Sequence, residues 1–290
     1  DALLNGTSAV RLEGDAPDGV LGFRINEIDD LDGDGLNELM MSEDAIAWGL
    51  GGSNDGVTKI VWGSSLLDFK TGDGKEVMND AFFDGAKGVS IRGYIGNEDY
   101  TGWRLADAGD IDGDGKSDVI VSSRHHDSDS GELYLIWGET IAAEKLGDGE
   151  IQLSDSYIDG ANGVRITGLT AGEKFGFDIA TLGDLNGGGT PDLLVTSSNH
   201  WNGSGSKGQA YVFWGEQLAA EKTDDGILEL TENEFIDGGY GVVITVDELG
   251  GRFGQVAANV GDVDNDGLSD IAVSARWSNG LGLIDDNMES

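Results

Sequence analysis

Nine-residue acidic segments recur along the sequence and carry its most specific chemical signal. Three of them have the form Asp-x-Asp-x-Asp-Gly-x-x-Asp/Glu and begin at Asp30, Asp110 and Asp262. Side-chain oxygens at positions one, three, five and nine, with a carbonyl at position seven, suit the roughly six to eight oxygen ligands of Ca²⁺, and glycine at position six permits the sharp turn. The predicted ligands of three strong calcium sites are Asp30, Asp32, Asp34, the carbonyl of Leu36 and Glu38; Asp110, Asp112, Asp114, the carbonyl of Lys116 and Asp118; and Asp262, Asp264, Asp266, the carbonyl of Leu268 and Asp270.

The flanking residues distinguish these segments from EF-hands. An EF-hand needs a bidentate Glu at position twelve and a helix on each side. Position twelve is Met41, Val121 or Val273, each within a short apolar run. The segments are therefore predicted to be loops between β-strands. The alternative is a solvated acidic turn, although identical spacing in three places favours the calcium site.

A fourth copy of the segment departs from this pattern. It begins at Asp184 and has Asn186 at position three, Gly188 at position five, Thr190 at position seven and Asp192 at position nine. Only two carboxylates remain, so this copy is predicted to be a weak or empty calcium site.

The four acidic segments mark an internal repeat, because their first residues are separated by 80, 74 and 78 positions. Each segment is followed by short β-branched or aromatic runs separated by Gly, Asp and Asn turns, which is typical of strands. About four strands in each period indicate the blade of a β-propeller. The fold class is therefore predicted to be all-β, a propeller of four-stranded blades.

The two ends of the chain predict how the ring closes. Residues 3–14 resemble residues 157–168 and so correspond to an outermost strand, whereas the fourth repeat ends inside its predicted third strand, near residues 280–284. The chain is therefore predicted to be one domain, 1–290, with repeats at about 22–94, 102–168, 175–246 and 253–290, the last completed by 1–14. This split blade would hide the exposed strand edges. The alternative to four blades is part of a seven-bladed propeller.

Each repeat also resembles a known sequence family. Phe175-Gly176 and Phe253-Gly254 are each followed by a short strand ending in Gly-Asp and then by the acidic segment. This arrangement resembles the FG-GAP repeat of integrin α-chain-type β-propellers, and the resemblance covers essentially the whole chain. It implies an extracellular or cell-surface location, structural calcium and a role in binding protein or glycan partners. The family also includes noncatalytic propellers attached to secreted enzymes.

The loops between the second and third strands are predicted to form a common face opposite the acidic segments, because loops of a blade alternate between two faces. These loops, 42–58, 122–132, 197–209 and 274–281, hold all 3 His residues of the chain. Tryptophan and arginine suit sugar rings or an acidic or peptide partner. The candidate ligand residues are Trp48, Arg124, His125, His126, His200, Trp201, Arg276 and Trp277. Packing of these side chains against blade edges is an equally open interpretation.

Charge and composition exclude several classes of function. The chain of 290 residues has a formal net charge of −38, which repels nucleic acids and anionic membranes, and no Cys for disulfides or thiolate metal sites. We therefore expect no nucleic-acid partner and no membrane insertion. We also expect no catalytic site, because the sequence has no Gly-x-Ser-x-Gly nucleophile motif and the carboxylates of its repeated segments are assigned to the calcium loops. The predicted function is a calcium-stabilised adhesion or binding module, one domain of a larger secreted or surface protein. The alternatives are a secreted polysaccharide lyase or hydrolase and a structural spacer.

Overall fold

The computed structural model describes residues 9–14, 20–44, 55–69, 74–94, 100–125, 130–154, 156–168, 172–198, 208–229, 235, 239–246 and 253–275. Most of these residues lie in short strands or in the turns between them. The strands are β1 (Arg11–Gly14), β2 (Val20–Ile28), β3 (Glu38–Asp44), β4 (Val57–Val61), β5 (Lys75–Met78), β6 (Gly88–Arg92), β7 (Thr101–Gly109), β8 (Asp118–Ser123), β9 (Glu132–Ile136), β10 (Glu150–Gln152), β11 (Gly163–Thr167), β12 (Phe175–Thr181), β13 (Leu193–Ser197), β14 (Gln209–Phe213), β15 (Ile227–Leu228), β16 (Gly241–Thr245), β17 (Phe253–Gly261) and β18 (Asp270–Ala275).

Among the described residues, short helices lie between the third and fourth strands of the repeats. They are α1 (Gly63–Phe69), α2 (Gly138–Ala143) and α3 (Gly215–Ala220). The second and third continue into 3₁₀ turns at Glu144–Leu146 and Glu221–Thr223. The sequence predicts helical stretches at these last two places, each about two turns long.

The strands form successive antiparallel units. Blade one contains β2, β3, β4 and β6; blade two contains β7, β8, β9 and β11; and blade three contains β12, β13, β14 and β16. Blade four is described as the pair β17 and β18. The inner strands β2, β7, β12 and β17 pack side by side in chain order. The prediction of an all-β propeller fold with four-stranded blades is confirmed.

The connection between the third and fourth strands reaches the neighbouring blade. Strand β10, which follows α2 of blade two, pairs in parallel with the outer strand β6 of blade one, and β15 pairs in the same way with β11. Strand β5 pairs in parallel with β1, which places β1 in the role of an outer strand. Because the predicted third strand of the fourth repeat lies outside the described residues, the split closing blade and the number of blades remain predictions.

A bulge in each inner strand accounts for the repeated aromatic-Gly pair. The register between the first two strands shifts after the glycine, between Thr101 and Leu105 in blade two. Gly102 adopts a φ of +90°, and the amide of Arg104 donates a hydrogen bond of 3.0 Å to Oγ of Ser122. A residue in the left-handed region favours glycine, because a Cβ would be strained there. The side chain of Arg104, two residues after Gly102, reaches Asp178 of the next inner strand, β12.

Neighbouring blades share their cores and approach each other closely. Gly131 immediately precedes β9 in blade two, and a Cβ built on it would be 2.3 Å from the carbonyl oxygen of Phe175 in blade three. Arg104 Nε donates to Asp178 Oδ1 across the same junction at 2.6 Å. One apolar cluster spans these two blades and contains Ile120, Leu135, Trp137, Val164, Phe175, Leu193, Val195, Tyr211 and Phe213.

The first inner strand and the fourth acidic segment are less covered than their equivalents in the middle repeats. Ile25 of β2 is 63% exposed, whereas Leu105 at the same position of β7 is 8% exposed. Val263 in the fourth acidic segment is 72% exposed, whereas Ile111 at the same position is fully buried. Within the described ranges, neither β2 nor the fourth acidic segment is covered in the way that the middle repeats are.

The junction between blades two and three gives a stability prediction. We expect Gly131→Ala to lower the free energy of unfolding by about 2 kcal/mol beyond its backbone strain, because the added methyl group overlaps the Phe175 backbone. Gly172→Ala is the matched control, since Gly172 has the same φ of +81° but nothing within 4 Å of a built Cβ. The control should lose only about 1 kcal/mol from strain. Equal losses in urea denaturation of the two variants would contradict the close approach.

Candidate cation-binding loops and the opposite loop face

The four acidic segments fold in the same way. We name them loops one (30–38), two (110–118), three (184–192) and four (262–270). In each of them the position-one carboxylate accepts the amide of position six, as in Gly115 N to Asp110 Oδ2 at 3.0 Å. The side chain at position three accepts the amide of position five, as in Asp114 N to Asp112 Oδ1 at 3.1 Å. Backbone amides therefore turn the acidic side chains inward.

Three of the loops bring carboxylates to one point. In loop one Asp30, Asp32, Asp34 and Glu38 each offer an oxygen, and these oxygens lie within 4.8 Å of one another. Asp110, Asp112 and Asp118 form such a group in loop two, and Asp262, Asp264 and Asp270 do so in loop four. Asp114 belongs to a neighbouring group with Asp112 and Glu139, whereas Asp266 is outside the group of loop four.

The carbonyls predicted as ligands belong to Leu36, Lys116 and Leu268 at position seven. The amides of these residues donate to the carboxylates at position five, Asp34, Asp114 and Asp266, at 2.7–3.0 Å. The backbone at position seven is therefore held against the acidic group in these three loops.

The carboxylate at position nine has a structural role in loops one, two and three. Asp118 accepts the amide of Ile111 at 2.9 Å and the amide of Gly138, the first residue of α2, at 2.9 Å. Glu38 and Asp192 make the equivalent bonds to Leu31 and Gly63 and to Leu185 and Gly215. Position nine therefore joins the loop to the helix that follows the third strand.

Burial changes the protonation of these position-nine carboxylates. Burial raises the pKa of Glu38 to about 7 and that of Asp118 to about 8, and neighbouring aspartates contribute, although amide hydrogen bonds act in the opposite direction. Burial also raises the pKa of Asp192. A carboxylate that is held among other carboxylates without a compensating cation binds its proton more tightly.

The donors in these loops are suited to a hard divalent cation. All of the side chains in the groups offer oxygen, which is the ligand atom that Ca²⁺ prefers. In loop two the buried Oδ1 of Asp110 has no hydrogen-bond partner among the described residues. A cation at this point would satisfy that oxygen and reduce the repulsion between the carboxylates.

Loop three has the same amide hydrogen bonds at positions one and three as the other loops, but the side chain of Glu216 occupies the space beside Gly188. Asn186 donates from Nδ2 to Oε1 of Glu216 at 2.7 Å. A Cβ built on Gly188 would be 2.3 Å from Glu216 Oε2, so the Glu216 carboxylate occupies the space of the absent side chain. Asp184 and Asp192 still accept loop amides, and Thr190 occupies position seven. The weak or empty site in this loop remains a prediction.

Three charged residues beside the loops were not predicted as site residues. Glu139 of α2 joins the carboxylates of loop two. Lys145 binds Asp32 of loop one, and Lys222 binds both Asp112 of loop two and Glu139. The repeated motif could have indicated the two lysines, because Lys70, Lys145 and Lys222 each follow a Trp-Gly pair at the same spacing. Lys70 lies outside the described residues.

The loop face opposite the acidic loops contains two of the predicted ligand residues. Arg124 stacks on Trp103 with its guanidinium carbon 3.6 Å from a ring centroid, and His125 packs on Tyr100 with ring centroids 4.7 Å apart. Arg124 Nη2 lies 2.7 Å from His125 Nε2. Trp103 also contacts Phe23 and Phe177, the equivalent residues of the adjacent blades. The structure therefore joins Arg124 and His125 to a half-buried aromatic row across three blades.

The other predicted ligand residues lie outside the described residues. They are Trp48, His126, His200, Trp201, Arg276 and Trp277. The convergence of all four loops on one face therefore remains a prediction.

Comparison with known proteins agrees with the repeat pattern. A family model described as FG-GAP repeat matches residues 102–136, from the aromatic-Gly bulge of β7 to the end of β9. The chain is 26% identical over 207 residues to mouse integrin alpha-IIb, covering 69% of this chain and 15% of that protein. It is 26% identical over 197 residues to Drosophila melanogaster integrin alpha-PS2, covering 66% of this chain and 12% of that protein. The predicted resemblance to FG-GAP repeats and integrin α-chain propellers is confirmed.

The similarity also extends to an enzyme. Rat phosphatidylinositol-glycan-specific phospholipase D is 24% identical over 186 residues, covering 62% of this chain and 19% of that protein. The chain thus spans less than a fifth of the length of each of these three relatives. In the part of the chain that the structure describes, no helix combines the length and hydropathy needed to cross a bilayer.

The raised pKa values predict how stability depends on pH. Because the pKa of Glu38 and of Asp118 rises from 4.5 and 3.8 to about 7 and about 8, the cation-free folded state holds protons that the unfolded chain has released. These groups favour the folded state at low pH, and this contribution is lost as the pH rises through about 7 to 8. The melting temperature in EDTA should therefore fall between pH 5 and pH 8.

Two controls isolate this effect from the general repulsion of an acidic chain. Saturating Ca²⁺ should flatten the decline, because the cation stabilises the charged carboxylates. Asp118→Asn should show a shallower decline than the wild type in EDTA. Identical slopes in all three samples would show that the position-nine carboxylates do not control the pH dependence.

Proposed function

We propose that the protein is a calcium-stabilised binding or adhesion module. It acts as one domain, 1–290, of a larger secreted or cell-surface protein, and its partner is a protein or a glycan. The observation that carries the proposal is the recurrence of one acidic loop geometry in successive blades that also present aromatic and cationic side chains at the opposite end of the strands. The similarity to integrin alpha chains supports a binding role.

Calcium in loops one, two and four would make the blades that carry them more rigid. Asp110, Asp112 and Asp118 converge within 4.8 Å, and comparable groups occur in loops one and four. In loop two a glycine amide holds the position-one carboxylate, and the position-nine carboxylate joins the loop to the helix α2. A cation bound to the folded loops but not to the unfolded chain stabilises the fold by about 2.7 kcal/mol per site at a hundredfold excess over Kd.

Single-ligand substitutions test this part of the proposal. Isothermal titration of the wild type should give about three calcium ions per chain, and EDTA should lower its melting temperature clearly. Asp110→Asn and Asp262→Asn should each remove about one ion, because each replaces a carboxylate of a converged group. Asp184→Asn in loop three is the matched control and should leave the stoichiometry unchanged. Four equal sites, or a melting temperature unaffected by EDTA, would contradict the assignment.

The loop face supplies the chemistry for a partner. Arg124 and His125 provide scarce positive or titratable groups beside the row of Phe23, Trp103 and Phe177. Aromatic faces stack with sugar rings and anchor peptides, and arginine adds hydrogen bonds to acidic groups. A protein partner and a glycan partner both suit this surface.

Glycan and cell-surface binding assays test the loop face. Arg124→Ala combined with His125→Ala should reduce binding at least about tenfold if these residues contact the partner, since anchors of this kind contribute about 1–2 kcal/mol or more. Arg11→Ala is the matched control, because Arg11 is exposed on β1 and pairs with Glu13. Trp201→Ala with Trp277→Ala tests the remaining predicted loops. Unchanged binding in both double variants would place the binding site elsewhere on the domain.

Two other functions remain alternatives. A polysaccharide lyase or hydrolase would use His125, His126 or His200 as an acid or base, and cleavage assays with each replaced by alanine would detect it. A structural spacer would bind no glycan, peptide or cell surface in millimolar calcium.

A further inference from the structure

Lys145 and Lys222 occupy equivalent places in neighbouring repeats. Each lies in the 3₁₀ turn that follows the short helix of its blade. Each Nζ lies over the tryptophan of the preceding blade, 5.7 Å from a ring centroid of Trp62 for Lys145 and 5.5 Å from Trp137 for Lys222. The same placement of lysine over tryptophan in two separate repeats shows that it is a recurring feature of the junction between blades.

Each lysine binds a carboxylate that belongs to the preceding blade's cation group. Lys145 Nζ binds Asp32 Oδ2, and it lies 3.9 Å from Asp34 Oδ2. Lys222 Nζ binds Asp112 Oδ2 and also Glu139. The side chains of Asp32 and Asp112 are each only 1% exposed. The ammonium group therefore neutralises a buried aspartate at position three of the loop.

The segment that carries each lysine is itself docked on the preceding blade. Strand β10 follows the turn of Lys145 and pairs with β6 of blade one, with Ser90 donating to Gly149 at 2.8 Å. A Cβ on Gly85 of blade one would be 2.4 Å from the carbonyl oxygen of Glu144. The pairing of β10 with β6 therefore both joins the two blades and positions the lysine beside the loop.

We propose that Lys145 and Lys222 are inter-blade clasps that compete with a divalent cation for the position-three aspartates of loops one and two. This inference rests on the calcium occupancy proposed above and adds a residue that sets the affinity of each site. In the cation-free protein the ammonium group holds the loop and the neighbouring blade together. A bound cation takes over the charge compensation and weakens the grip of the lysine, since two positive charges at one carboxylate repel each other.

Lysine-to-methionine variants test the clasp. Lys145→Met and Lys222→Met keep the apolar stem but remove the charge, so each should melt at a lower temperature in EDTA than the wild type. Each should also bind calcium about tenfold more tightly at one site, because a repelling charge close to the cation is gone. A purely structural lysine would not tighten calcium binding. Lys87→Met is the matched control, since Lys87 is exposed, lies over Phe82 and is outside the loops.

The outcomes separate the clasp from the proposed function. Calcium affinity in Lys145→Met and Lys222→Met that equals or falls below that of Lys87→Met overturns the competition, even where the wild type binds calcium normally. If the wild type binds no calcium, both the proposed calcium function and the competition are wrong. The melting temperatures in EDTA would still show whether the two lysines stabilise the cation-free protein. If a methionine variant does not fold in EDTA, Lys222→Arg should restore folding and keep the weaker wild-type affinity; failure of that rescue also overturns the proposal.

Discussion

The structure depends on holding like charges close together. Each intact acidic loop places several carboxylates around one point within 4.8 Å. Such a group is stable only when positive charge or hydrogen-bond donors face it, because repulsion between carboxylates grows steeply in a poorly solvated site. Backbone amides supply part of this compensation, lysines of the next blade supply another part, and a divalent cation would supply the largest.

The long connection between the third and fourth strands in blades two and three makes contacts with the preceding blade. The residues between the third and fourth strands form a short helix, a 3₁₀ turn and a small strand, and they dock on the outer edge of the preceding blade. The helix also begins at a glycine whose amide binds the position-nine carboxylate of its own blade. One segment therefore connects the loop of its own blade, the loop of the previous blade and the outer sheet edge.

The acidic loops and the opposite loop face are connected by the same strands, so the rigidity of the loops affects the geometry of that face. The same antiparallel strands leave the acidic loops at one end and reach the connection of Arg124 and His125 at the other. Trp103 packs with Phe23 and Phe177 of adjacent blades, so the spacing of the blades sets the spacing of this aromatic row. A partner that binds across several blades would depend on that spacing.

The local chemistry of the repeat is encoded by neighbouring residues. The acidic loops were predictable because their hydrogen bonds join residues only a few positions apart, as between Gly115 and Asp110. The short strands were predictable from their apolar runs and the turn residues between them. The clasp of Lys145 on Asp32 joins residues 113 positions apart, and it forms only after two blades dock. The entry of Glu216 into the space beside Gly188 likewise depends on how α3 meets loop three. Contacts between blades follow from packing of the whole sheets, and no short stretch of sequence specifies them.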